Sequence, residues 1–159
     1  MTISGRSLGD HFRLSLACLG ILTAVWALRL LAGAVEIPFS AVRLISVTLG
    51  VEICLVLLVV QIHLRHFGGY ASVFLCSLIL NAWAQMLICS AVGFAWLTGT
   101  SNIFTHPAFL MTRPDPNLLL HIYGQLTFVL GYMTLVAACT GCLLLCLLRF
   151  VLPHRTSQR

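Results

Sequence analysis

Four long runs of apolar residues, separated by polar or turn-forming segments, limit what this chain can fold into. The runs cover about residues 14–35, 42–62, 71–97 and 118–152, and each reaches the roughly 20 residues that an α-helix needs to cross a bilayer. Hydrophobic residues make up 60% of the chain and charged residues only 8%, which excludes a water-soluble domain. Because backbone groups inside a bilayer must bond to one another, the sequence predicts four spanning helices.

The segments between the runs predict how the helices are connected. Residues 36–40 include Pro38, which cannot continue a helix interior. The next connector ends in the pair Gly68–Gly69, which permits backbone conformations closed to other residues. Short connectors make consecutive helices antiparallel neighbours. We therefore predict an all-α, four-helix transmembrane bundle of up-down-up-down topology, formed by residues 1–159 as one membrane domain with a single longer outer loop at residues 98–117.

The first run also has an interpretation as a cleavable signal peptide. Arg6 and Arg13 precede it, and the small residues at 32–34 resemble a cleavage site. Against cleavage, the run is longer than the roughly 7–15 residues of a signal core, and Arg29 interrupts it. We expect a retained spanning helix and keep cleavage as the alternative.

The basic residues predict an orientation, since all nine are arginine and most flank the apolar runs. Positive residues are enriched in cytoplasmic segments, so the side with more arginine is expected in the cytoplasm. That side contains Arg6, Arg13, Arg65, Arg149, Arg155 and Arg159, and the other contains Arg43 and Arg113 with Glu36 and Asp115. Both termini are therefore expected in the cytoplasm. Scattered arginines form no basic stripe, so we expect no nucleic-acid partner.

Small residues in the fourth run recur at alternating spacings of three and four, which places them on one stripe of a helix. The stripe consists of Gly124, Thr127, Gly131, Thr134, Ala138 and Gly141. Membrane helices associate through close van der Waals contact, which small side chains permit. We predict that this stripe packs against another helix, either within the chain or in a partner.

Four of the polar side chains within the predicted spans point to a shared buried cluster. Glu52 lies near the middle of the second run, where a charge costs about 2.5–3.5 kcal/mol, and Arg29 is the only basic residue more than three positions from the end of a run. We predict an Arg29–Glu52 pair; in the alternative, Arg29 extends to the headgroups and Glu52 stays neutral. Asn81 and Gln85 are predicted to join them in one buried cluster that stabilises the packing of the helices. An ion or proton path and a small-ligand site are the other interpretations.

Histidine and cysteine residues raise the question of a cofactor. His63 and His66 lie at one end of the second run, and His106 and His121 lie near the other side, so none is central enough for a haem held between helices. All seven cysteines fall inside apolar runs, where a thiol is a small, soft apolar side chain. The CxxC spacing at Cys139–Cys142 fits a small-residue helix. We expect no cofactor and no metal, with haem or a thiolate-bound metal as alternatives.

No arrangement of nucleophile and base, phosphate-binding glycine loop or HExxH motif occurs, so we do not expect an enzyme. The sequence favours a small polytopic integral membrane protein that serves as a non-enzymatic membrane subunit or an assembly or interaction protein. Its expected partners are the lipid bilayer and other membrane proteins or a second copy of the chain. The alternative is a small proton- or ion-linked transporter or channel that uses the Glu52/Arg29 pair, and a redox subunit ranks third.

Overall fold

The computed structural model describes residues 2–3, 5–106 and 117–152, and helices account for most of this part of the chain. The elements in chain order are strands β1 (Thr2–Ile3) and β2 (Arg6–Ser7), helices α1 (Leu8–Ala34), α2 (Phe39–Val42), α3 (Val47–Leu64) and α4 (Tyr70–Thr98), a 3-10 turn (Ile103–Thr105), α5 (Leu118–Gly124), a π-helical turn (Gln125–Val129) and α6 (Leu130–Val151). The two strands form one short antiparallel pair.

Four helical segments are long and apolar enough to cross a membrane. They are Leu8–Ala34, Ser40–Leu64, Tyr70–Thr98 and Leu118–Val151. This confirms the predicted all-α fold with four long apolar helices. Of the predicted loop at residues 98–117, positions 107–116 lie outside the described residues.

Local capping interactions fix where the helices begin and end. The Ser7 hydroxyl accepts a hydrogen bond from the Asp10 amide at 3.2 Å, and the Asp10 carboxylate accepts one from the Ser7 amide at 2.9 Å. This capping box satisfies amides that a helix start leaves without partners, so α1 begins well before its apolar run. The Ser46 hydroxyl accepts from the Leu49 amide at the start of α3. Gly99, with a φ of 67°, ends α4 in the left-handed conformation that glycine adopts readily.

Contacts between α1 and α3 show that these helices are antiparallel. The Cys18 and Cys54 thiols each donate to the backbone oxygen of the other residue at 3.8 Å. Further along α1, Leu22 Cδ2 would lie 3.1 Å from a Cβ added at Gly50. Residue numbers therefore rise along α1 as they fall along α3.

Two side-chain contacts show that α1 and α4 run in the same direction. The Nε2 atom of His11 lies 3.1 Å from Ser72 Oγ, and the Trp83 indole donates to Thr23 Oγ1 at 3.0 Å. The residue numbers rise together along both helices. Parallel α1 and α4, with antiparallel α1 and α3, agree with the predicted up-down-up-down order.

The central pair of the bundle is α3 and α4, because both pack against α1 and against α6. Buried aliphatic side chains fill the space between these helices, chiefly Leu22, Leu55, Leu58, Ile62, Leu80 and Leu145. Large apolar side chains also cover the outside, including Leu31, Ile53, Leu97, Leu135 and Phe150. An exposed apolar surface of this extent is unusual for a soluble monomer.

Candidate functional site

Glu52 lies at the midpoint of the apolar segment Ser40–Leu64, twelve residues from each end, and in the second turn of α3. Its side chain is half-buried, between the buried Leu55 and the exposed Val56. Among the described residues, none donates a hydrogen bond to its carboxylate or forms an ion pair with it. The carboxylate therefore sits at the edge of the buried face of α3.

The register of α1 against α3 separates Arg29 from Glu52. Because Cys18 lies opposite Cys54, Glu52 is level with Gly20, nine residues from Arg29. Nine residues correspond to about 13 Å along a helix axis. The structure thus does not bring the two predicted partners together.

Arg29 instead meets the segment that follows α4. Its side chain is buried, and its guanidinium lies 5.0 Å from the centre of the Phe104 ring. A cation over an aromatic face is attracted by the ring quadrupole. Arg29 therefore helps to hold this segment against α1.

Asn81 and Gln85, the other two members of the predicted cluster, are both buried on α4. The Asn81 amide donates to Ser77 O on its own helix at 2.9 Å. Gln85 Oε1 is buried, and no described residue donates to it. Among the described residues, no hydrogen bond joins any two of the four predicted residues, whereas the hydrogen bond between Trp83 and Thr23, which the sequence did not indicate, joins two helices directly.

The predicted stripe on the fourth long helix divides into two parts. Thr134, Ala138 and Gly141 are buried, and a Cβ added at Gly141 would lie 2.7 Å from Val73 Cγ1 on α4. By contrast, Gly131 is exposed, with nothing within 4 Å of an added Cβ. Within the described residues, only the part of the stripe from Thr134 to Gly141 packs against other helices.

The π-helical turn Gln125–Val129 explains why Gly124 and Thr127 do not pack. A turn of this kind contains one extra residue, which rotates the preceding segment by about 100° relative to α6. Gly124 and Thr127 therefore leave the buried face. Neither of them is buried, and an added Cβ at Gly124 would meet no atom within 4 Å.

A cavity of about 830 Å³ lies between α1 and α4, at the end where the segment 99–106 begins. We call it the loop-side cavity. Trp26 and Leu30 line it from α1, and Phe94 lines it from α4. Hydroxyl and imidazole groups of Thr100, Ser101 and His106 line its other end.

The segment that covers this cavity is held to both helices. The Asn102 side-chain amide donates to Ala91 O on α4 at 2.7 Å, and its oxygen accepts from the Phe104 amide at 2.9 Å. On α1, Ile103 packs so closely that a Cβ added at Gly33 would lie 2.8 Å from its Cβ. Glycine at position 33 thus permits this close approach.

The histidine and cysteine side chains, which the sequence raised as candidates for a cofactor site, differ in their burial. His11 is fully buried; its Nδ1 donates to Ser7 O at 2.8 Å, since a carbonyl oxygen can only accept. His63 is buried at the end of α3. Cys139 and Cys146 are exposed. Within residues 2–3, 5–106 and 117–152, no group of three or more histidine, cysteine, aspartate or glutamate residues is placed to hold a metal ion.

Two features therefore offer chemistry beyond packing. One is the Glu52 carboxylate on the rim of α3, and the other is the loop-side cavity. Comparison of the chain with protein families, with curated proteins and with solved structures finds no match.

Proposed function

We propose that this chain is a small polytopic integral membrane protein that acts as a non-enzymatic membrane subunit or interaction protein. The observation that supports the proposal is Glu52, a half-buried carboxylate at the midpoint of the apolar segment Ser40–Leu64 with no donor among the described residues. A polar group at that depth is costly unless it is neutralised or paired. A helix of a partner protein or of a second copy would supply the donor.

The side of α3 on which Glu52 lies indicates where the partner approaches. Leu55, three residues further on, faces α6, because its methyl groups lie 3.4 Å from a Cβ added at Gly141. Residues three apart share a helix face, so Glu52 lies on the α6 side of α3. Thr48 and Val56, four residues to either side, are exposed. We call the stripe Thr48–Glu52–Val56 the α3 rim.

A photo-crosslinking amino acid at position 56 tests this proposal in membranes. We expect an adduct with a partner membrane protein or a second copy, and a loss of that adduct in Glu52→Leu but not in Glu52→Gln, which keeps a hydrogen-bonding group. Interhelical hydrogen bonds contribute roughly 0.6–2 kcal/mol, so Glu52→Leu should weaken association about three- to thirtyfold. The same crosslinker at Phe150, which is 85% exposed, controls for random contact.

Absence of a position-specific adduct, or an adduct that Glu52→Leu leaves unchanged, would contradict the proposal. A proton- or ion-linked transporter or channel has less support, because the register places Arg29 about 13 Å from Glu52 along the axis. A pH-dependent flux in liposomes that Glu52→Gln abolishes would replace the interaction proposal with this alternative.

We further propose that both termini lie in the cytoplasm. Arginines are concentrated at the end of the bundle that contains the start of α1 and the connector between α3 and α4, and positive residues favour the cytoplasmic side. There, Arg149 donates to Gly68 O at 3.2 Å and stacks on Tyr70, while Arg6 stacks on Phe67. Arg113, Arg155 and Arg159, which also entered the prediction, lie outside the described residues.

Reporter fusions check this orientation. Green fluorescent protein, which fluoresces only when it folds in the cytoplasm, should be active at either terminus. Alkaline phosphatase, which needs an oxidising compartment, should be active when it is inserted within residues 107–116. Activity of the same reporter at the C-terminus and within residues 107–116 would show that the orientation is wrong.

A further inference from the structure

We infer that the loop-side cavity binds an amphipathic molecule, with an apolar chain and a hydrogen-bonding head group. Its volume of about 830 Å³ lies within the roughly 300–1,000 Å³ of small-molecule sites. The inference rests on the proposed membrane placement of the helices, but it is independent of any partner at Glu52.

The order of the lining residues gives the cavity a polar end and an apolar end. Along α1 and α4, the walls nearer the middle of the helices are Trp26, Leu30 and Ala91. Beyond the end of α4 they become Thr100 and Ser101. A purely polar ligand would find nothing on the apolar walls to which it could bond, and a pure hydrocarbon would desolvate the Ser101 hydroxyl and the remaining hydrogen-bonding capacity of Thr100, whose hydroxyl lies 2.7 Å from that of Thr98. An amphipath with its chain toward Trp26 satisfies both ends.

Small residues and a fixed cover keep the space open. Small side chains line the cavity from both helices, Ala34 from α1 and Ser90 and Ala91 from α4. The cover is tied to α4 through the Asn102 amide and Ala91 O, and it packs on α1 through Ile103. The cavity is therefore formed before any ligand binds, which lowers the ordering cost of binding.

Two lining residues show how a ligand would enter. Leu31 and Phe94 line the cavity and are 64% and 63% exposed, so the wall is open toward the outside of the bundle. Both lie close to the ends of their helices, at Ala34 and Thr98. In a bilayer this is the level of the headgroup region. An amphipath in the membrane would enter sideways, with its head group already at the depth of Thr100 and Ser101.

Tryptophan quenching by a dibrominated long-chain fatty acid tests the inference in purified, detergent-solubilised protein. The reporter variant, Trp83→Phe with Trp96→Phe, retains Trp26 in the cavity wall. The matched control, Trp83→Phe with Trp26→Phe, retains Trp96, which is 51% exposed and does not line the cavity. We expect the quenching of Trp26 to saturate. The probe concentration that quenches half of the Trp26 fluorescence should be at least tenfold lower than the concentration that quenches half of the Trp96 fluorescence.

Two further comparisons test whether the probe binds in the cavity and whether binding needs its head group as well as its chain. Ala34→Phe places a ring at an exposed lining position and should abolish the saturable phase, while Ala71→Phe, exposed on α4, should not. A dibrominated alkane without a head group should bind at least tenfold more weakly than the acid. If Trp26 is quenched no more strongly than Trp96, or if its saturable quenching persists in Ala34→Phe, the cavity is not the binding site. If the alkane binds as tightly as the acid, the ligand does not need a head group and is not an amphipath.

The source of the ligand is distinguished with nanodiscs that contain a dibrominated phospholipid. Preferential quenching of Trp26 there, at the same bulk lipid content, would identify a bilayer lipid as the occupant. Quenching by the free acid alone would identify a single-chain amphipath. Either result supports the same site, and neither depends on whether the α3 rim binds a partner.

Discussion

Replacing Gly141 with leucine is expected to disrupt the bundle. A Cβ alone would lie 2.7 Å from Val73 Cγ1 and 3.4 Å from the Leu55 methyl groups, and leucine adds three further carbons. Overpacking costs about 1–3 kcal/mol even for smaller insertions, and we expect a loss at or above the upper end. For a chain of this length, about 3 kcal/mol corresponds to a fall in Tm of roughly 6–12 °C. The fall in Tm is measured by size-exclusion chromatography of the protein after heating in detergent.

Gly131→Leu is the matched control for that substitution, because it makes the same change ten residues earlier on the same helix. Nothing lies within 4 Å of a Cβ at Gly131, and the residue is exposed. Its Tm should stay within about 2 °C of the wild type, as for surface substitutions in general. Equal destabilisation by both variants would contradict the finding that Gly141 is packed against α4 and Gly131 is not.

Phe104→Ala is expected to release the cover of the loop-side cavity. The ring is 6% exposed and lies beneath the Arg29 guanidinium. Its removal leaves a hole in a packed region, for which Phe→Ala substitutions cost about 3–5 kcal/mol. We expect a marked fall in Tm and, in the Trp26 reporter, the loss of saturable quenching by the brominated acid.

Phe150→Ala provides the comparison for this second substitution, since the same atoms are removed from a side chain that is 85% exposed. Its Tm and its quenching curve should match those of the wild type. Phe104→Leu, which keeps an apolar side chain, should fall between the two. If Phe104→Ala melts like Phe150→Ala, the cover does not pack as described.

The number and type of the long helices were predictable, because apolar length alone requires them. The residues at which the helices begin and end were less predictable. The first helix begins at Leu8 and not at about residue 14, since a capping box stabilises a polar first turn that hydropathy ignores. In the second run, the helix α3 begins at Val47 after a separate short helix, because Ser46 caps it.

The predicted Arg29–Glu52 pair shows why a site is harder to predict than a fold. Apolar length places the centre of each run near the middle of the bilayer, but the contact of Cys18 with Cys54 fixes the actual register. Periodicity gives the face of a helix and not how far it slides along its neighbour. The meeting of Arg29 with Phe104 depends on how a loop folds back, for which no local pattern exists.

The small-residue stripe was predicted on the assumption of an uninterrupted α-helix. That assumption holds for Thr134, Ala138 and Gly141, which are buried as one face. It fails across the π-helical turn Gln125–Val129, because one extra residue changes the phase of the pattern. Nothing in the spacing of the small residues marks that turn.

The two hydrogen-bonded contacts between α1 and α4 have a mechanical consequence. His11–Ser72 and Thr23–Trp83 are separated by twelve residues of α1, or about 18 Å along its axis. A single hydrogen bond would still allow α1 to rotate about that contact. Two hydrogen bonds so far apart also fix the angle between α1 and α4. We therefore expect α1 to keep its tilt relative to α4 during any rearrangement of the bundle.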